Sequence, residues 1–156
     1  MAATHRLHTT THLPLPREEV FAFFADAGNL ERITPPELNF RIVTPQPIEM
    51  QVGTLIDYEL QLFGVGFRWR TEIETWRPPF LFSDMQLRGP YRLWWHMHTF
   101  LERTTPDGRP ATRMDDRVFW QLPLAPVGEL AYLLVRFQLE HIFAYRQRVM
   151  QELMGR

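Results

Sequence analysis

The C-terminal part of the chain carries one long helical pattern, and this feature constrains the fold more than any other. Between Ala125 and Met154, large side chains recur at steps of three and four residues, which predicts that they share one helix face: Leu130, Leu134, Phe137, His141, Ile142, Tyr145 and Val149. Such a helix is about 43 Å long, which is more than a small domain needs to close its core. We therefore expect a sheet that curls around it and leaves a space between them.

The preceding residues show the alternation of apolar and polar side chains that is typical of half-buried antiparallel strands. The pattern predicts seven strands, at about 4–13, 39–44, 56–62, 67–74, 80–88, 92–103 and 112–122. Two short helices are predicted after the first strand. One begins at Pro16, where the missing N–H costs nothing, and the other lies around Asn29–Ile33. The whole chain, 1–156, is expected to form a single α+β domain.

Composition restricts the class of function. Hydrophobic residues make up 45% and charged residues 22% of the chain, which is ordinary for a soluble globular protein. The net charge is -1, so the chain does not have the excess of basic residues that a general nucleic-acid binder carries. No apolar run is long enough for a membrane span, and the N-terminus has no apolar region typical of a secretory signal. We expect a cytoplasmic protein.

Missing residue types exclude several catalytic mechanisms. The chain has no cysteine and no lysine, so thiolate chemistry, disulfides and Schiff-base catalysis are excluded. Its one serine, Ser83, lies outside any G-x-S-x-G motif, which argues against an acyl-enzyme.

Four segments carry a resemblance to a known superfamily. They are Pro16-x-Glu18-Glu19-Val20-Phe21-x-Phe23-Phe24, Trp76-x-Pro78-Pro79, Phe82-x-Asp84-x-Gln86-x-x-Gly89-Pro90-Tyr91 and Trp94-x-His96-x-His98-x-Phe100. With the order of elements, they resemble the helix-grip proteins of the START and birch-pollen-allergen superfamily, SRPBCC, and in particular its bacterial cyclase/dehydrase-like members. The resemblance implies a long C-terminal helix over the concave face of the sheet. It also implies a cavity that holds lipids, sterols, polyketides or aromatic molecules, and in a few members catalyses cyclisation or dehydration.

Strands 80–88 and 92–103 are apolar on both faces, so periodicity alone leaves their orientation open. Hydrophobicity favours burying the odd-numbered face, whereas the resemblance places the even-numbered face in the cavity, and we follow the resemblance. The inward residues are then Phe82, Asp84, Gln86, Arg88, Trp94, His96, His98 and Phe100, joined by Asp116 of the next strand.

The polar residues of this face predict a cluster in the cavity. Asp84 is expected to lie directly opposite His96 across the antiparallel pair. A carboxylate beside a buried imidazole can raise the pKa of the histidine. Three interpretations stay open: a hydrogen-bond network that only fixes the strands, an anchor for a polar ligand group, and general acid/base catalysis by His96 or His98 with Asp84 or Asp116.

The same histidines raise the question of a metal. Two histidines at i, i+2 on one strand face can share an ion with Asp84 or Asp116 as a third ligand. Because nothing else in the chain has ligand spacing, we expect no metal and no other cofactor.

The cavity wall is expected to be aromatic, since rings along a curved sheet suit a flat apolar ligand. The candidates are Trp69, Trp94, Phe100, Trp120, Phe137 and Tyr145. His141 is a further candidate, although a histidine on a helix stripe is more often a core residue.

The chosen orientation exposes an apolar outer face on the same strands. It contains Leu93, Trp95 and Met97, with Leu81, Met85 and Leu87 beside them. A patch of this size predicts a homodimer or contact with a membrane surface.

The leading hypothesis from the sequence is a protein that binds a small hydrophobic or aromatic molecule without transforming it. The alternative is a cofactor-independent cyclase or dehydratase that uses a histidine–aspartate pair. A third is an interaction module that acts through the outer strand face.

Overall fold

Seven antiparallel strands form one sheet in the computed structural model, which describes residues 2–155. The strands are His5–Leu13 (β1), Arg41–Ile42 (β2), Leu55–Leu62 (β3), Val65–Arg77 (β4), Leu81–Arg88 (β5), Leu93–Thr104 (β6) and Pro110–Gln121 (β7). Their order across the sheet is β1-β7-β6-β5-β4-β3-β2, so the strands from β2 to β7 form a meander and β1 pairs with β7. The predicted α+β class and seven-stranded antiparallel sheet are confirmed.

The helices lie near the predicted positions, but three short segments within residues 2–155 are 3₁₀ helices, among them Pro36–Leu38, which the sequence pattern does not predict. The first α-helix spans Arg17–Ala25 (α1) and the C-terminal one spans Tyr132–Met154 (α2). The second short helix, Ala27–Ile33, is a 3₁₀ helix, and Val127–Ala131 forms a separate 3₁₀ turn before α2. The long helix is therefore shorter than Ala125 to Met154. No helix within residues 2–155 combines the length and the apolar character needed to cross a membrane.

The face of α2 that packs on the sheet differs from the predicted one. The buried residues are Val135, Leu139, Ile142, Phe143, Met150 and Met154. Of the predicted face only Ile142 is buried, whereas Leu134 is 56% exposed and Phe137 is 73% exposed. The first half of the helix has apolar residues on several sides, so a spacing of three and four residues is compatible with two different faces. Packing against the sheet determines which of the two is buried.

Along β6 the inward side chains divide the interior into two apolar regions with polar residues between them. Trp94 belongs to a cluster that includes Trp120 and α2 residue Leu139. Phe100 belongs to a second cluster with Met150 near the other end of α2. His96 and His98 lie between these two positions on the strand, and both are buried. The even-numbered face of β5 and β6 therefore points into the protein.

The outer face of β6 is only partly open to solvent. Leu93, Trp95 and Met97 are half-buried. The indole N–H of Trp95 donates to Glu74 Oε2 at 2.9 Å, and its ring lies 5.4 Å from that of Phe119. Neighbouring side chains of the same chain thus cover part of this patch, and a homodimer through it stays a prediction.

The observed orientation of α2 predicts that truncating two of its leucines to alanine lowers the free energy of unfolding by different amounts. Leu139→Ala removes a side chain that is 3% exposed and should lower the free energy of unfolding by about 2–5 kcal/mol. Leu134→Ala, on the exposed side, should change it by no more than about 0.5 kcal/mol. Guanidinium unfolding followed by circular dichroism measures both, and equal losses would contradict this orientation.

Candidate functional site: a cavity beside a histidine–aspartate cluster

A cavity with a volume of about 130 Å³ lies between the sheet and α2. Its wall is mostly apolar, with contributions from Leu30, Leu38, Ile56, Leu60, Ile73, Trp69, Phe82, Trp94, Leu139, Ile142 and Phe143. The polar side chains at its surface are those of Thr34, Tyr58, Thr71, Asp84, His96, His98 and Arg146. An apolar space with a few converging polar groups is the usual form of a small-molecule site.

The helix side of the cavity follows from residue spacing in α2. Four residues of α2 line the cavity: Leu139, Ile142, Phe143 and Arg146. The last three follow Leu139 by three, four and seven positions. In an α-helix this spacing places side chains on one face. Three of the four are apolar, so Arg146 is a charged residue within an otherwise apolar stripe.

The histidine–aspartate cluster consists of Asp84 on β5, His96 and His98 on β6, and Asp116 on β7. His96 Nε2 donates to Asp116 Oδ1 at 2.8 Å, and His98 Nε2 donates to Asp84 Oδ2 at 3.0 Å. His98 Nδ1 lies 3.1 Å from Asp116 Oδ1, an ion-pair distance, although it is not aligned for a hydrogen bond. The two imidazole rings lie 3.7 Å apart, centre to centre.

Sheet register brings these groups together diagonally. Asp84 lies opposite His96, as the sequence predicts, and Asp116 lies opposite His98. Each carboxylate nevertheless accepts its best-aligned hydrogen bond from the histidine two residues along β6. Diagonal neighbours on one sheet face are within reach of long side chains, so the cluster links all three strands.

The pKa values of the two histidines in the cluster are shifted in opposite directions. Burial disfavours a charge on His98, but the contacts with Asp116 and Asp84 outweigh it and raise the pKa of His98. Burial and the positive charge of His98 instead lower the pKa of His96, against its hydrogen bond to Asp116. For Asp116, the two histidines outweigh burial and hold the pKa of its carboxyl well below the ordinary range. The pKa of His98 is therefore raised and that of His96 is lowered, so His98 is the histidine of the pair that holds a proton more readily.

Aromatic rings fix the orientation of both imidazoles. The Phe82 ring stacks on His98 at 4.0 Å, with 14° between the planes. On the helix side, the edge of Phe143 approaches His96 at 5.4 Å. Sheet and helix together restrict the histidines to the rotamers that contact the carboxylates.

A second polar group lies on β3 and β4. The hydroxyl groups of Tyr58 and Thr71 are 3.0 Å apart, and the indole N–H of Trp69 donates to Thr71 Oγ1 at 3.1 Å. Burial, followed by the negative charge of Asp84, raises the pKa of Tyr58, so its phenol stays protonated. This hydroxyl is a neutral hydrogen-bonding group at the cavity wall.

Six of the side chains predicted to bind ligand line the cavity: Trp69, Phe82, Asp84, Trp94, His96 and His98. Gln86, Phe100, Asp116 and Trp120 do not. Gln86 instead hydrogen-bonds both backbone groups of Tyr91 and so stabilises the β5–β6 turn. Phe100 and Trp120 are fully buried in the core, and Asp116 contacts the cavity only through the histidines.

The three predicted α2 residues also lie away from the cavity, because the helix presents another face. Phe137 is exposed to solvent. His141 is exposed too, and its Nε2 donates to Glu37 Oε1 at 2.7 Å. The Tyr145 ring is covered by the guanidinium of Arg148, 5.1 Å from the ring centre. Placing these side chains in the cavity was wrong.

Sequence reasoning missed Tyr58, Thr71, Tyr91 and Arg146 as cavity residues. The alternation of β3 placed Tyr58 on the buried face but did not single it out. Arg146 could be predicted to face the cavity only if the correct face of α2 was known, because it shares that face with Leu139, seven residues earlier.

Asp84, His96 and His98 could also hold a metal ion, since one donor atom of each lies within 4.8 Å of the others. Two imidazoles and a carboxylate suit zinc. Both histidine Nε2 atoms already donate to carboxylates, so an ion using them would have to replace these hydrogen bonds.

Comparison with known proteins supports the fold. No family model and no curated protein matches the chain. Solved structures match the chain almost end to end. TTHA0849 from Thermus thermophilus is 19% identical, with a TM-score of 0.72 over 95% of each chain. A START superfamily protein from Mycobacterium smegmatis is 15% identical, with a TM-score of 0.67 over 94% of this chain and 98% of the other. A norcoclaurine synthase from Thalictrum flavum, a point mutant in complex with a transition-state analogue, matches at 11% identity and TM-score 0.66, over 97% of this chain and 98% of the other. The chain has the helix-grip fold.

The cluster predicts that Asp116 sets the pKa of His98. Asp116→Asn removes a buried charge partner, so the pKa of His98 should fall and the free energy of unfolding at pH 7 should fall by about 3–5 kcal/mol. Titration of the imidazole signals by NMR measures the first, and denaturant unfolding the second.

The neighbouring Asp115 provides a matched control. It is equally buried but points to the other sheet face, where Thr10 donates to it. Asp115→Asn should cost stability without moving the His98 titration. An unchanged His98 pKa in Asp116→Asn would show that the cluster is not coupled as described.

Proposed function

We propose that this protein binds a small apolar or aromatic molecule in the cavity between the sheet and α2, with the histidine–aspartate cluster at one polar end. The observation that carries the proposal is the cavity itself. It is an apolar space onto which a few buried polar side chains converge, in a fold that it shares with a START superfamily protein.

The size of the cavity favours an aromatic ligand of about one ring. Its volume of about 130 Å³ is close to that of a cavity known to admit benzene, about 150 Å³. A lipid or a polyketide would require the walls to open. Aromatic neighbours such as Tyr58, Trp69 and Trp94 offer the edge and face contacts that a flat ring prefers.

Ligand binding predicts a rise in melting temperature with toluene or phenol as probes, because a molecule that binds only the folded state stabilises it by mass action. Ala27 is a buried residue of the cavity wall, so Ala27→Leu should fill part of the space and abolish the shift. Ala144→Leu is the control, since Ala144 is exposed on α2. Differential scanning fluorimetry measures all three proteins. Absence of any shift in the wild type would contradict the proposal.

A second candidate function is acid/base catalysis in the same cavity. The observation that favours it is the opposed pKa shifts of the two neighbouring histidines, raised for His98 and lowered for His96, because such a pair suits the roles of acid and base. With its Nε2 proton donated to Asp116, neutral His96 has its lone pair on Nδ1. The norcoclaurine synthase shows that a catalyst can be built on this fold.

Acid/base catalysis predicts that the protein accelerates deuterium exchange at the carbon next to the carbonyl of phenylacetone in D₂O. His96→Gln should reduce this exchange by about 10²-fold or more while the affinity for phenylacetone stays nearly unchanged. Proton NMR measures the exchange rate and the thermal shift reports binding. Equal loss of both in the variant, or no acceleration by the wild type, would favour binding alone.

A further inference from the structure

Arg146 is a half-buried cation without a partner in the cavity. Its side chain lines the space, and its Nε atom is shielded from solvent without a hydrogen bond to any of the residues 2–155. Among the ion pairs of these residues none involves Arg146. A buried donor without an acceptor is unfavourable, so an acceptor that entered the cavity would satisfy this Nε.

Some arginines outside the cavity have carboxylate partners. Arg136 on α2 donates to Glu140 Oε1 at 3.0 Å, and Arg17 donates to Glu102 Oε1 at 3.1 Å. Arg148, two positions after Arg146, lies over the Tyr145 ring on the outward side of the helix. Exposed arginines such as Arg77 and Arg92 also lack an ion pair among residues 2–155, so what sets Arg146 apart is its position at the cavity wall.

One contact and one electrostatic effect place the guanidinium at the cavity wall. Its central carbon lies 4.9 Å from the centre of the Phe143 ring. Its positive charge also acts on the Tyr58 hydroxyl across the cavity, where it opposes the effects of burial and of Asp84 on the pKa of that phenol. The guanidinium and a neutral hydroxyl therefore face the same region.

The carboxylates of the cluster do not serve as partners for Arg146. Asp84 and Asp116 accept hydrogen bonds from the two histidines instead. The cluster thus holds both carboxylates in close contact with its own histidines on the sheet side. On the helix side, Arg146 keeps its donors for a group that enters the cavity.

We propose that Arg146 binds the carboxylate of a small aromatic acid whose ring occupies the cavity. The planar guanidinium matches a carboxylate through two parallel N–H donors, and the Phe143 ring shields the pair from water. A single-ring acid fits a cavity of about 130 Å³. The inference rests on the proposed binding function and specifies the ligand class for it.

Benzoate and toluene are the probes that test the proposal, because they share a ring and differ in the carboxylate. Isothermal titration calorimetry measures both ligands on the wild type, Arg146→Met, Arg146→Lys and Arg148→Met. Benzoate affinity should fall at least about tenfold in Arg146→Met, the loss expected for a charge-assisted contact, and recover in part in Arg146→Lys. Toluene affinity should not fall in any variant, and Arg148→Met should bind both probes like the wild type.

The outcomes separate this inference from the function on which it rests. If the wild type binds toluene but not benzoate, or if Arg146→Met binds benzoate as tightly as the wild type, the assignment of Arg146 is wrong and the binding function stands. If the wild type binds neither probe, both are overturned. Toluene binding to Arg146→Met shows that the variant is folded, and Arg146→Lys provides the comparison if that variant does not fold.

Discussion

The pairing of buried charges across β5, β6 and β7 is the constraint on which the rest of the interior depends. Two carboxylates and two imidazoles beside an apolar cavity are tolerated only when each charged group has a close partner. Sheet register meets this condition, because it brings Asp84 and Asp116 to either side of the histidines of β6. Phe82 stacks against His98 and Phe143 makes an edge contact with His96, and the cavity forms where the sheet and α2 do not meet.

The sheet could be predicted from the sequence and the orientation of the helix could not. Alternation has a period of two, so each strand offers only two faces, and on β6 the pattern Trp94-x-His96-x-His98-x-Phe100 was assigned to the inside correctly. A helix offers a continuous range of orientations. Apolar residues such as Leu134 and Phe137 extend the apolar surface of α2 beyond the stripe that packs, so spacing alone indicated the wrong face.

The same difference explains how much of the candidate site was predictable. Trp69, Asp84 and His98 lie at the cavity, in the direction that strand alternation and one choice of face predict. Gln86 and Phe100 share that face but lie at the β5–β6 turn and in the core. The diagonal exchange of hydrogen-bond partners was not predictable, since it depends on side-chain reach and not on register. The predicted orientation of α2 pointed the wrong face at the sheet. For that reason Phe137 was included among the cavity residues and Arg146 was missed.

The cavity has different chemistry on its two sides, and this asymmetry relates binding to catalysis. Its helix side offers Arg146, a cation without an ion pair among residues 2–155, whereas its sheet side offers His96 and His98, whose pKa values are shifted in opposite directions. A ligand held through an anionic group at α2 would direct the rest of its ring toward β6. In that orientation the groups that bind the ligand and the groups that could transform it are separate, so affinity and turnover can be altered independently. A helix-grip protein could then acquire or lose catalysis by changes in the histidine–aspartate cluster while the position of the ligand is kept by the helix.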